Sequence, residues 1–132
     1  MTARLHAAYR RSRYEAAGAV ARIGRRSAAV DALLRRLGTR QGGFVTAWNP
    51  WSRPMPPGWN ARMLARLRQS ARRLPAAEGH GGDGRWREAH LLLAADPRRI
   101  AVLARRFRQA AIVTLRAGRP ARLRLMPRRS YR

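Results

Sequence analysis

The stretch GGFVTAWNPWSRPMPPGWN, residues Gly42 to Asn60, decides how this chain is read. Phe44–Trp48 is a short, mostly apolar run without the length of a helix, so it reads as a strand in the interior of a sheet. Pro50, Pro54, Pro56, Pro57 and Gly58 forbid regular structure directly after it, and a loop must follow. Four polar residues, Thr46, Asn49, Ser52 and Asn60, then lie at a strand end and its loop, beside Trp48, Trp51 and Trp59. They offer neutral hydrogen-bond donors and acceptors, and none is a strong nucleophile or a titrating base. Asn60 is placed to cap a helix with Met63, Leu64, Leu67, Ala71 and Leu74 on one side. Arg62, Arg66, Arg68, Arg72 and Arg73 lie largely off that side.

Upstream, Tyr9 to Glu15 and Ala19 to Ile23 read as two short strands around Ala16-Ala17-Gly18. Ser27 caps a helix whose Val30, Leu33, Leu34 and Leu37 fall on one face, with Gly38 placed to end it. Downstream, Ala76-Ala77-Glu78 is a weak strand, and the tract Gly79-His80-Gly81-Gly82-Asp83-Gly84 reads as a hairpin loop before a strand from Trp86 to Ala94. A phosphate-binding fingerprint needs its glycines between a strand and a helix, which this tract does not offer. Asp96-Pro97 starts a third helix carrying Ile100, Leu103, Ala104 and Phe107. Ala110–Leu115, a turn at Gly118-Arg119-Pro120, and Ala121–Met126 form a closing hairpin whose last strand alternates Arg and Leu, as a sheet wet on one face should. The predicted class is α/β: a mixed sheet with about three amphipathic helices in the order ββαβα(β)βαββ. Residues 1–126 are expected to form a single compact domain and 127–132 a basic tail.

Composition narrows the function classes. The chain has 132 residues, a net charge of +24 from 30 basic against 6 acidic side chains, and no cysteine. Every basic residue is arginine. A 45% hydrophobic content with four Trp argues against disorder despite the charge. Without cysteine there are no disulfides, thiolate metal sites or thiol nucleophiles, and the expected location is the cytoplasm. No apolar run approaches the roughly 18 residues of a membrane span. The first 38 residues imitate an organellar transit peptide in being rich in Arg and Ala, but Glu15, Asp31 and the strand and helix patterns read as integral structure.

Several blocks occur in order: Tyr9…Tyr14, Arg22-Ile23-Gly24, Phe44-Val45-Thr46-Ala47-Trp48-Asn49-Pro50, Asn60, Gly79, Trp86-Arg87-Glu88 and Phe107-Arg108-Gln109-Ala110. Together they resemble the bacterial family known as domain of unknown function 3293, from about Tyr9 to Met126. The resemblance implies a compact single domain and carries no activity with it. Thr46, Asn49, Ser52, Asn60, Glu88 and Gln109 match the family's polar signature. The chain departs from the pattern at Gln109-Ala110-Ala111, where Gln-Asn-Ala is usual, and at His90, where a small polar residue is usual.

Two constellations compete as the functional site. Thr46, Asn49, Ser52, Asn60, Glu88 and Gln109 form a candidate ligand-binding set, with Glu88 as general base or ligand anchor. Each has a plain structural alternative: a turn at Asn49-Pro50, a cap at Asn60, an ion pair between Glu88 and an arginine, backbone satisfaction by Gln109. The second set is Trp51 and Trp59 for base stacking with Arg53, Arg62, Arg66, Arg72 and Arg73 for phosphate contacts, which suits RNA, DNA or another polyanion. His6, His80 and His90 have no metal-ligand spacing, and neither a metal nor a cofactor is expected. The leading expectation is polyanion binding without catalysis. The alternative is a nucleotide- or small-molecule-binding domain with hydrolytic chemistry, and a third is an interaction protein with an acidic partner.

Overall fold

The computed structural model describes residues 2–127; the expected basic tail, apart from Pro127, lies outside them. Helix α1 (Ala3–Arg11) precedes β1 (Arg13–Ala16) and β2 (Ala19–Ala21). Then come α2 (Ala28–Arg36), β3 (Gln41–Val45), a short 3₁₀ turn at Pro50–Ser52 and α3 (Pro57–Ser70). After these follow β4 (Ala76–Gly82), β5 (Arg87–Leu93), α4 (Pro97–Arg106), β6 (Ala111–Arg116) and β7 (Arg122–Leu125). The seven strands form one sheet in the order β2-β1-β4-β5-β3-β6-β7. All neighbouring strands run antiparallel. A single parallel bridge joins Ile23 to Ala121, beside the two edge strands, so the sheet curls until its edges approach each other.

The mixed α/β class is as the sequence predicts, and β3 is interior, between β5 and β6. Each sheet face buries its own core. On one face α3 and α4 cover Val45, Leu91, Leu93 and Ile112. On the other, α2 covers Tyr14, Phe44, Leu92 and Val113. Burial on both sides explains why β5 ends as the unbroken apolar run Leu91-Leu92-Leu93. Ser27 caps α2 by accepting from the Val30 amide at 3.2 Å, and Asp96 caps α4 by accepting from the Arg98 amide at 2.9 Å, both at the predicted positions.

Five expectations are corrected. Tyr9 belongs to α1, giving four longer helices instead of three; Thr2 caps it by accepting from the Leu5 amide at 3.1 Å, and Ala, Leu and Arg are all good helix formers. Strand β3 stops at Val45, leaving Thr46 to Trp48 in the loop. Helix α3 starts at Pro57, so Asn60 sits inside its first turn and is not its cap, while Arg72 and Arg73 lie beyond its end. Strand β7 lacks the expected alternation, because neither packed core reaches Leu125 at this edge of the sheet, which leaves it exposed. The fifth correction concerns the glycine tract. Gly79 to Gly82 are strand, and only Asp83 to Trp86 turn.

Glycine suits this strand because its neighbours use the space. The Tyr14 and His90 rings lie stacked with centroids 6.3 Å apart, and a Cβ at Gly81 would come within 3.2 Å of both side chains. At Gly79 a Cβ would run into the backbone carbonyl of Glu15 on β1. Gly79→Ala should therefore cost about 2 kcal/mol, since backbone cannot give way as a side chain can. Chemical denaturation checks this, with Gly58→Ala as the control, where a Cβ meets only the end of the Arg62 side chain at 3.5 Å.

Candidate functional site

The loop after β3 is fixed by side-chain amides. Thr46 Oγ1 donates to the Ala89 carbonyl at 2.6 Å and accepts from the Trp48 amide at 3.1 Å. Asn60 is buried, accepts from the Asn49 amide at 3.0 Å and donates to Asn49 Oδ1 at 2.9 Å. Asn49 Oδ1 also accepts from the Met55 amide at 3.0 Å. The remaining amide of Asn49 donates to Glu88 Oε2 at 2.7 Å. Asn49, Trp51 and Ser52 all have left-handed backbones, with φ of 48°, 52° and 63°. Asparagine tolerates this conformation; Trp and Ser adopt it only where the surroundings impose it. Here the Trp51 amide is held by the Arg108 carbonyl at 2.8 Å.

Gln109 closes the site from the end of α4. Its Nε2 donates to the carbonyls of Trp48 at 3.0 Å and Phe107 at 3.1 Å, which fixes the amide orientation. The same loop contains Trp48 Nε1, the one side-chain polar atom buried without a hydrogen bond among the described residues.

These elements enclose a cavity of about 40 Å³ on the α1 side of the sheet, enough for about two or three waters. Thr46, Glu88 and Gln109 line it, together with Tyr9, Tyr14, Phe44, Trp86 and His90. Asn49 and Asn60 stand behind it as the support of Glu88. Ser52 is exposed on the loop, close enough to the Tyr9 phenol to influence its ionisation. Asn49 and Glu88 are thus in contact and Gln109 lines the same cavity as Glu88.

The electrostatics follow from burial. Desolvation pushes the Glu88 carboxyl up to about 7, against the opposing pull of the Asn49 hydrogen bond. Burial raises the Tyr9 phenol, the neighbouring Ser52 side chain opposes it, and the Glu88 charge adds to the rise. The Tyr14 phenol is also raised, first by burial. Burial holds His90 down to about 4, so the ring is neutral at neutral pH. Its Nε2 lies 2.6 Å from the Glu15 carbonyl, which assigns the proton to Nε2 and leaves Nδ1 an acceptor.

The expected ion pair of Glu88 with an arginine is absent among the described residues, whose three ion pairs are Arg11–Asp83, Arg68–Glu78 and Arg98–Asp96. The network of amides keeps it on the sheet face while every arginine nearby stays in water. Because His90 is depressed, its stability contribution is present above about 6.5 and is lost as pH falls towards 4. Thermal melts should show this acid-side slope in the native chain and a flatter one in His90→Gln.

The second constellation does not converge on a cavity. Trp51 and Trp59 are half-buried, and Arg53, Arg62, Arg66, Arg72 and Arg73 are exposed along the loop, α3 and the turn after it. Arg72 turns back to the Gln69 carbonyl at 3.0 Å. Among the described residues no group of three potential ligands stands close enough to hold a metal, and no helix is long and apolar enough to cross a membrane.

Sequence reasoning missed Tyr9, Tyr14, Trp86 and His90 as cavity walls. Tyr9 and Tyr14 come from the first two elements, more than 70 positions from Glu88, and only the pairing of β1 with β4 brings them in. Fold and site together define an antiparallel α/β protein with a carboxyl pocket on one sheet face. The chain belongs to the family described as Protein of unknown function (DUF3293), whose model matches residues 45–112, just over half of its length. That span includes all six residues of the candidate ligand set and excludes Tyr9 and Tyr14. No curated protein and no solved structure matches the chain.

Proposed function

We propose that the described residues act as one domain that binds a small polar molecule at the Glu88 pocket, with Glu88 as its proton acceptor. One observation carries this reading. In a chain with 30 basic residues, Glu88, the one carboxyl lining this cavity among the described residues, is held by an asparagine amide at 2.7 Å and by no described arginine. A carboxyl kept only for stability would gain more from a guanidinium, whereas a proton acceptor needs a value near the working pH. Glu88 and His90, which keeps an acceptor at Nδ1, line the same cavity. They suit a ligand that inserts an N–H or O–H donor, such as an amine or a hydroxyl. A water in the same place, deprotonated by Glu88, would make the chemistry hydrolytic.

The test is a titration of methylammonium and of methanol, followed by amide shifts at Thr46, Glu88 and Gln109. Saturable shifts in the native chain, weakened about tenfold in Glu88→Gln for the cation, support the reading. Shifts that are non-saturable, or equal in both proteins, contradict it.

A second reading is favoured by a separate observation: of the arginines proposed for phosphate contact, none forms an ion pair among the described residues. Arg53, Arg62, Arg66, Arg72 and Arg73 are therefore available to a polyanion, with Trp51 and Trp59 at the flank. Binding of this kind weakens with log salt at a slope of about −0.9 per phosphate neutralised on duplex. Arg66→Ala with Arg72→Ala should reduce that slope in a titration with RNA or DNA.

A further inference from the structure

A larger cavity lies on the opposite face of β1, β4 and β5, and neither reading above uses it. Its volume is about 430 Å³, within the range of small-molecule sites. Arg13, Glu15, His80, Gly82, Arg85, Trp86 and Arg87 contribute to its walls. The register explains the arrangement. Arg13 on β1, Gly82 on β4 and Arg87 on β5 are cross-strand partners, so both arginines rise on the same face on either side of a glycine. Gly82 must stay bare, because a Cβ there would run into the Trp86 carbonyl. The next row is Glu15, His80 and Ala89. α3 and α4 cover the far half of this face as far as Ala89, and the row of Arg13, Gly82 and Arg87 is left open.

The charges in this groove are unbalanced. Arg13 and Arg87 have no ion pair among the described residues, and both are exposed. The two nearby carboxylates are already occupied. Glu15 Oε2 accepts from the Gly18 amide at 2.8 Å, and Asp83 accepts from the Arg85 amide at 3.0 Å and pairs with Arg11 at 3.6 Å. Two like charges flanking a bare backbone repel each other until an anion lies between them. Trp86, half-buried, adds an aromatic wall to the same groove. Guanidinium pairs suit phosphate, and an indole beside them suits a planar base.

We infer that this groove binds a nucleotide, with its phosphate between Arg13 and Arg87 and its base against Trp86. The groove opens on the other face from the Glu88 pocket, with which it shares only Gly81 and Trp86, and it does not involve the arginines along α3. The nucleotide is either free or part of a single strand; the chemistry is shared and the test separates the two.

The experiment is calorimetric titration of the full chain with AMP, inorganic phosphate and the oligonucleotide dT8. AMP should saturate one site and bind about tenfold tighter than phosphate, through the base. The double variant Arg13→Ala, Arg87→Ala should weaken AMP by about tenfold or more, while Arg35→Ala, Arg36→Ala on α2 removes the same charge from exposed positions outside both sites and leaves it within about twofold. Trp86→Ala should weaken AMP and leave phosphate unchanged. Tighter binding of dT8 than of AMP, with the same sensitivity to Arg13 and Arg87, assigns the groove to a strand; the reverse order assigns it to the free nucleotide. Equal losses in both double variants, equal affinity for AMP and phosphate, or no saturable binding of AMP or dT8 overturns the proposal. All the substituted arginines are exposed, and a melt of each variant confirms that it is folded.

Discussion

Asn60→Ala is expected to lower stability by about 3 kcal/mol and the melting temperature by about 10 °C. The reason is the number of groups that depend on one buried side chain. Its Oδ1 holds the Asn49 amide at 3.0 Å, and its Nδ2 donates to Asn49 Oδ1 at 2.9 Å and to the Met55 carbonyl at 3.4 Å. Alanine removes all three bonds and strands an amide in a site that water reaches poorly, and such an orphan alone costs about 1–3 kcal/mol. The loop from Asn49 to Ser52 then loses the restraint on its left-handed residues. Asn60→Asp separates the contributions, since it keeps an acceptor for the Asn49 amide and loses both donors. Its cost should lie between those of the native chain and alanine at low pH. A loss below about 1 kcal/mol for alanine in urea denaturation would mean that the amides decorate the loop and do not hold it.

Glu88→Gln is expected to become more stable than the native chain as pH rises, by about 3 kcal/mol at pH 8 relative to their difference at pH 4.5. Burial raises the folded carboxyl from 4.5 to about 7, so the folded state holds its proton more tightly than the unfolded chain does. That contribution is fully present below about 4.5 and is lost as pH rises through about 7. The gap corresponds to about 3 kcal/mol of linked stability. Glutamine keeps an oxygen for the Asn49 amide and has no charge to desolvate. His90 gives the native chain an opposite slope below about 6.5, so the difference between the two proteins isolates Glu88. Paired urea curves from pH 4.5 to 8 are the check. A difference that stays flat across this range would mean that Glu88 ionises as an ordinary surface carboxylate.

Much of this architecture was legible in the chain. The short run after Gly43, cut by Asn49-Pro50, marked an interior strand, and Ser27 and Asp96-Pro97 marked two helix starts, because these features act through local chemistry. The polar signature Thr46, Asn49, Glu88 and Gln109 pointed to one place in the fold. What stayed hidden depends on long-range packing. Gly79 to Gly82 has the composition of a turn, and it forms a strand in which the β1 and β5 backbones crowd Gly79 and Gly82 and the Tyr14 and His90 rings crowd Gly81. The N-terminal residues alternate poorly as a strand and form α1, whose Tyr9 packs against the core of Tyr14 and Phe44. Asn60 has the sequence position of a cap, yet the proline pair before it starts the helix earlier and turns its amide towards Asn49. The arginine excess gave a field and no location, since charge patterning says nothing of which arginines the strand register sets side by side.

The measurement that tests the account most directly is a carbon-detected NMR titration of the Glu88 side-chain carboxyl in the full chain. The account predicts a midpoint near 7. A midpoint near 4.5, the ordinary glutamate value, would contradict a buried, proton-accepting Glu88 and with it the pocket as the functional centre.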